Sequence, residues 1–123
     1  MGIVSFDFDG VLHSEVNGIN PIDFKKKDLN PNLGIIKKLK EEAKKNIIII
    51  VSSRDDEDKK IIDYFIKKHK LPVSKIITTN NYPKSPYLKH FNVLRHYDDN
   101  IFLRKDLEKT KVQFIFVKNG KIV

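Results

Sequence analysis

Five consecutive β-branched residues, Ile47-Ile48-Ile49-Ile50-Val51, constrain this chain more than any other feature of its 123 residues. A strand with one wet face alternates apolar and polar side chains. An unbroken apolar run suits burial on both faces, the place of a central strand in a parallel sheet covered by helices. Four further strand-length runs, Ile3 to Phe8, Lys75 to Thr78, Asn92 to Tyr97 and Val112 to Val117, alternate with segments of helical period. Ile35, Ile36, Leu39 and Ala43 form one stripe on a helix expected from about Pro31 to Lys45. Ile61, Ile62, Phe65 and Ile66 form another after Arg54, where Asp55 to Asp58 suit the positive end of a helix dipole. A short helix is expected from Ser85 to Phe91. The pattern predicts an α/β fold: a doubly wound, Rossmann-like three-layer sandwich around a mostly parallel five-stranded sheet. Asn119-Gly120 between two β-type stretches predicts a C-terminal hairpin.

Length and composition fit one globular domain over residues 1–123, with 40% hydrophobic and 33% charged residues. No run approaches the length of a membrane span, which argues against a membrane partner. The first residues carry neither a basic leader nor a long apolar segment, and Phe6 stands where a myristoylation signal wants Ser or Thr, so a cytoplasmic location is expected. Cysteine is absent, which excludes disulfides and thiolate metal sites. The net charge of +8 comes from lysine clusters such as Lys25 to Lys27, Lys37/Lys38 and Lys67/Lys68. Any one pair reads as a solvated helix face, but together they favour a nucleic-acid or nucleotide partner.

The chemistry is concentrated in Asp7-Phe8-Asp9-Gly10-Val11-Leu12, directly after the first strand. The strand period of two puts both carboxylates on one side of an extended backbone, at the strand end where open α/β sheets place their sites. Two acids so close repel each other unless a positive group lies beside them, and a divalent cation is the natural candidate. Gly10 allows a sharp turn there. Alone, this segment could be a solvated strand end. Three further features follow in chain order: Ser52 after the second strand, a lysine before the fourth, and Asp98-Asp99 after it.

This set resembles the four motifs of the haloacid dehalogenase-like phosphatases, and the resemblance covers nearly the whole chain. It implies that Asp7 is a nucleophile forming an aspartyl-phosphate, and that Asp9 is the general acid and base. Ser52 would hydrogen-bond the phosphoryl oxygens, and Lys84 would hold nucleophile and phosphate together. Asp98 and Asp99, with Asp7 and Asp9, would bind Mg²⁺. Gly10, Ser53 and Arg54 are candidates for substrate contact, although a salt bridge from Arg54 to the acidic helix start is an equal alternative. Ser53 stands where many relatives have Gly or Asn, and Lys75 and Lys89 are rivals to Lys84. His13 could touch substrate or be a turn residue without a role. Neither the stretch after Asp9 nor the one before Lys84 is long enough for a cap domain, and capless relatives often act on macromolecules. The stretch from His13 to Asn32 is long enough for a flap.

These roles make physical sense. A phosphorylated carboxylate splits hydrolysis into two easier displacements, and a second carboxyl carries the proton between them. Mg²⁺ takes oxygen ligands and neutralises a phosphate dianion. The expected function is therefore a Mg²⁺-dependent phosphomonoesterase, acting on nucleic-acid ends or nucleotides. The alternative is a basic nucleic-acid-binding module of the same fold with weak or no catalysis. A receiver domain would need its acceptor Asp after the third strand, where Thr78-Thr79-Asn80-Asn81 stands. His69, His90 and His96 show no zinc-ligand spacing. For Tyr82, Tyr87 and Phe91, packing is preferred over base stacking.

Overall fold

The computed structural model describes residues 1–14 and 26–123. Strands β1 (Gly2–Phe6), β2 (Asn46–Ser52), β3 (Lys75–Thr78), β4 (Val93–Asp98), β5 (Gln113–Lys118) and β6 (Lys121–Ile122) form one sheet in the order β3-β2-β1-β4-β5-β6. Between them lie helices α1 (Leu33–Glu42), α2 (Lys59–Lys68), α3 (Ser85–His90) and α4 (Leu103–Leu107). Neighbours from β3 to β5 are parallel, and β6 is antiparallel to β5. The expected five strands are thus corrected to six. Asn119 and Gly120, at φ 53° and 72°, fold the chain back so that Val117 pairs with Ile122, and the second arm of the hairpin extends the main sheet.

Burial along β2 follows from its sequence. Ile48 and Ile50 join one apolar cluster with Ile35, Ile36 and Leu39 of α1 and Ile61, Ile62, Phe65 and Ile66 of α2. Ile49 and Val51 join a second, with Leu88 of α3 and Leu103 and Leu107 of α4. Successive side chains of a strand point to opposite faces, so the run is buried on both. Ile47, at the start, is the exception and is exposed. Helix α1 is shorter than expected, because residues 43–45 leave the helix in a turn. Helix α4 is not among the helices that the pattern predicts; its Leu103 and Leu107, one turn apart, are its buried side chains.

The chain lays β1, β2 and β3 outward in one direction, then returns to place β4 on the other side of β1. The connections leaving β1 and β4 therefore belong to different helical clusters, so the two chain segments diverge at the carboxyl ends of these adjacent strands, where open α/β sheets place their sites. The ends themselves are Phe6, followed by Asp7, and Asp98. No helix among the described residues is long and apolar enough to cross a membrane. The central part of the expected flap, residues 15–25, lies outside the described residues.

Candidate active site

β1 ends at Phe6, two residues earlier than expected, because the backbone turns at the first acid. The Asp7 amide still pairs with the Tyr97 carbonyl at 2.9 Å, while Asp7 Oδ1 accepts the Phe8 amide at 2.8 Å. Leu12 N–H then bonds the Phe8 carbonyl, and Gly10 takes φ 77°. The left-handed backbone favours glycine there, and a Cβ on Gly10 would lie 2.0 Å from Asp99 Oδ2, so any other residue would also have to displace that carboxylate.

Lys84 joins the two strand ends. Its Nζ lies 2.9 Å from Asp7 Oδ1 and 2.6 Å from Asp98 Oδ2, and all three side chains are buried. Burial works against the Lys84 ammonium, but the two carboxylates outweigh it and raise its pKa above the ordinary lysine value. Burial also opposes the Asp98 carboxylate, yet Lys84 and His96 hold it well below the usual range. Asp7 goes the other way: burial, then the charge of Asp98, push it well above the usual carboxyl value against the pull of Lys84. Asp99, at the exposed rim, is raised by loss of water around its carboxyl and by Asp98. Carboxylate oxygens of Asp7, Asp98 and Asp99 lie within 4.8 Å of one another. Three acids against one ammonium leave negative charge in excess, and this all-oxygen set could hold a hard metal ion.

Asp9 does not belong to that cluster. Arg54 grips its carboxylate with Nε to Oδ2 and Nη2 to Oδ1, both at 2.8 Å, and His13 Nε2 lies 2.9 Å from Oδ1. Burial would raise its pKa, but the hydrogen bonds from Arg54 and His13 lower it. Arg54 thus pairs with Asp9, and its guanidinium lies 5.5 Å from the Phe8 ring centre. His13 is buried against Phe8, with ring centres 4.6 Å apart.

Ser52 ends β2 and is buried; its hydroxyl accepts the Arg54 amide at 3.2 Å. Register pairs Phe6 with Ile50, so Ser52 stands two residues beyond that pair, at the carboxyl end of β2. Exposed Ser53 gives its carbonyl to the Asn81 amide, and the Arg54 carbonyl accepts from Asn80, which ties the 79–82 turn to this segment. Of the rival lysines, Lys75 lies 5.3 Å from the Phe91 ring centre, and Lys89 is exposed on α3. Sequence reasoning missed His96. It is fully buried, with Nε2 2.7 Å from Asp98 Oδ2 and Nδ1 2.6 Å from Ser5 Oγ. The available signal was a polar residue inside each of two strands, Ser5 in β1 and His96 in β4.

No family model matches the chain, and no curated protein matches it. Among solved structures it is similar to a chain in the structure of the Pnkp1/Rnl/Hen1 RNA repair complex, with a TM-score of 0.75 and 20% identity over 97% of its length. A second structure of the Pnkp1/Rnl/Hen1 complex gives 0.74 and 19% over 98%. The likeness is one of fold. The protein spans 43% and 46% of those chains, less than half of each.

Proposed function

We propose that the chain is a Mg²⁺-dependent phosphohydrolase of the capless haloacid dehalogenase-like type, with a doubly wound, Rossmann-like three-layer domain over residues 1–123. The observation that carries this reading is the position of Lys84 between Asp7 and Asp98, 2.9 and 2.6 Å from their oxygens. A buried ammonium there neutralises part of the charge that would otherwise keep an anionic nucleophile from a phosphate dianion. Asp7, Asp98 and Asp99 would hold Mg²⁺, which when bound supplies the remaining positive charge.

Asp7 attacks phosphorus as the bond to the leaving oxygen breaks, and Asp9, which must first leave its Arg54 and His13 contacts and take up a proton, gives that oxygen its proton. Asp9, now a carboxylate, takes a proton from water as the water oxygen attacks the aspartyl-phosphate. Inorganic phosphate leaves and Asp7 is restored. Ser52 and Lys84 hold the phosphoryl oxygens through both steps. The net charge of +8 and the likeness to chains of an RNA repair complex favour the phosphorylated end of a nucleic acid, or a nucleotide, as substrate.

A second reading is a basic nucleic-acid-binding module with little turnover. It is favoured by the double pairing of Asp9 to Arg54 and His13, since an acid held as a carboxylate has no proton to give. A Mg²⁺ phosphatase panel of aryl phosphate, nucleotides, sugar phosphates and phosphorylated oligonucleotides separates the two. Turnover that disappears with chelator and with Asp7→Asn supports the enzyme. Turnover that survives Asp7→Asn in protein free of host phosphatase removes Asp7 as nucleophile. Oligonucleotide binding without turnover leaves the module.

A further inference from the structure

Two large aromatic side chains stand in solvent within a few residues of the site's Lys84 and Asp98. Tyr82 is 68% exposed and Phe102 is 81% exposed. Tyr82 is two residues before Lys84, and Phe102 is four after Asp98, the two residues joined by the 2.6 Å ion pair. A single exposed ring is ordinary, but these two lie on segments that lead directly into Lys84 and out of Asp98.

Neither ring sits on a loose segment. The Tyr82 amide bonds the Thr79 carbonyl at 3.0 Å, and Thr79 Oγ1 donates to the Tyr82 carbonyl at 2.8 Å. Asn80 and Asn81 adopt left-handed backbone at φ 53° and 65°, a conformation that costs energy for residues with a Cβ, and their amides are tied to Arg54 and Ser53. On the other side Asp98 Oδ1 accepts the Asn100 amide at 3.0 Å, and Asn100 Oδ1 accepts the Phe102 amide at 3.1 Å. The backbone that carries each ring is therefore held by hydrogen bonds that run back to a residue of the candidate site. Tyr87 and Phe91, by contrast, pack against the second apolar cluster.

We propose that Tyr82 and Phe102 are stacking platforms for unpaired bases at the phosphorylated end of a single-stranded nucleic acid, an assignment that rests on the phosphatase reading of the adjacent site. A rigid exposed ring gains contact with a base face at little entropic cost, and any base can supply that face. A positively charged molecule attracts the strand that carries those bases. A paired base inside a duplex has both faces covered, so the platforms select for single strands.

The test compares a single-stranded oligonucleotide phosphate with the same oligonucleotide whose last two residues at the phosphorylated end are abasic. The native protein should favour the base-bearing end, and Tyr82→Ala and Phe102→Ala should each shrink the ratio of the two kcat/KM values by about 5- to 150-fold, with a larger loss in the double variant. Tyr82→Phe and Phe102→Tyr should keep the ratio. Both rings are exposed, so their truncation spares the apolar clusters. A native protein indifferent to the bases, or a ratio that survives the double variant, overturns the proposal. If the native protein hydrolyses no phosphate, the phosphatase reading fails, and fluorescence anisotropy with the same two oligonucleotides decides the platforms. An affinity ratio that falls in the double variant supports them, and an unchanged ratio overturns them.

Discussion

His96 Nε2 lies 2.7 Å from Asp98 Oδ2, the oxygen that also receives the Lys84 ammonium, while Ser5 Oγ occupies the other ring nitrogen at 2.6 Å. Ser5 and His96 are direct partners across β1 and β4, so this contact is built into the sheet. Burial lowers the His96 pKa more than Asp98 raises it, which favours the neutral ring. A neutral ring that donates from Nε2 must accept at Nδ1, so the Ser5 hydroxyl donates. The result is a fixed orientation of the Asp98 carboxylate.

His96→Ala should therefore lower kcat about 10- to 100-fold and raise the Mg²⁺ concentration needed for half-maximal activity. Ser5→Ala, which removes only the outer bond, should move both in the same direction by less. Steady-state kinetics across a Mg²⁺ titration measures this. A variant that loses thermal stability but keeps its Mg²⁺ requirement would show that His96 serves packing alone.

Asp9→Asn tests the proton carrier. A poor leaving group needs a proton as its bond to phosphorus breaks, whereas an aryl oxide with a low pKa does not. The variant should slow an alkyl phosphate by about 10²- to 10⁴-fold and an activated aryl phosphate far less in the first step. Single-turnover rates of leaving-group release with both substrates give the comparison. Equal losses would mean that Asp9 acts through its pairing with Arg54 and not through its proton.

The legible part of this molecule is the part with short sequence range. The double-sided burial of Ile48 to Val51, the apolar stripes of α1 and α2 and the Asn119-Gly120 turn follow from spacing of two, three or four residues. The order Asp7, Ser52, Lys84, Asp98 was also readable, because each follows or precedes an apolar strand. Pairings across the sheet were not. Arg54 is 45 residues from Asp9, and Ser5 is 91 from His96; no local pattern records such partners. Helix α4 went unseen because its five residues present only Leu103 and Leu107 as a signal, between charged neighbours.

At the far side of β4, Glu42 receives Arg95 through Nε at 2.5 Å and Nη2 at 2.7 Å, and Tyr97 Oη at 2.6 Å. Tyr97 in turn stacks on Phe6 with ring centres 4.2 Å apart, which links this cluster to β1. The hydrogen bond from Arg95 lowers the Glu42 pKa below its ordinary 4.5, despite burial. A carboxyl depressed in the folded state contributes stability that is fully present above its unfolded pKa and is lost as pH falls through the folded one. Glu42→Gln should cost about 1–3 kcal/mol near neutral pH. The gap to the native protein should close as pH drops below the ordinary glutamate range. Urea unfolding of both proteins from pH 7 down to pH 3 measures it, and a gap independent of pH would place the loss in packing.

The lysine-rich charge and the site's chemistry can be separated by salt. Each phosphate that a protein neutralises releases condensed counterions, and the observed affinity for a single strand then falls with a log–log slope of about −0.7 per contact. About three backbone contacts would weaken oligonucleotide binding roughly 20-fold between 50 and 200 mM salt. KM for a phosphorylated oligonucleotide should rise accordingly, while KM for glycerol phosphate, which has no backbone to hold, should change much less. The charge of +8 is spread over several segments, so no single lysine variant should abolish the slope, and each should flatten it by less than one contact's share. A KM for the oligonucleotide that stays flat over this range would mean that the lysines are a solvated surface, with the Asp7, Lys84 and Asp98 cluster reading the phosphate alone.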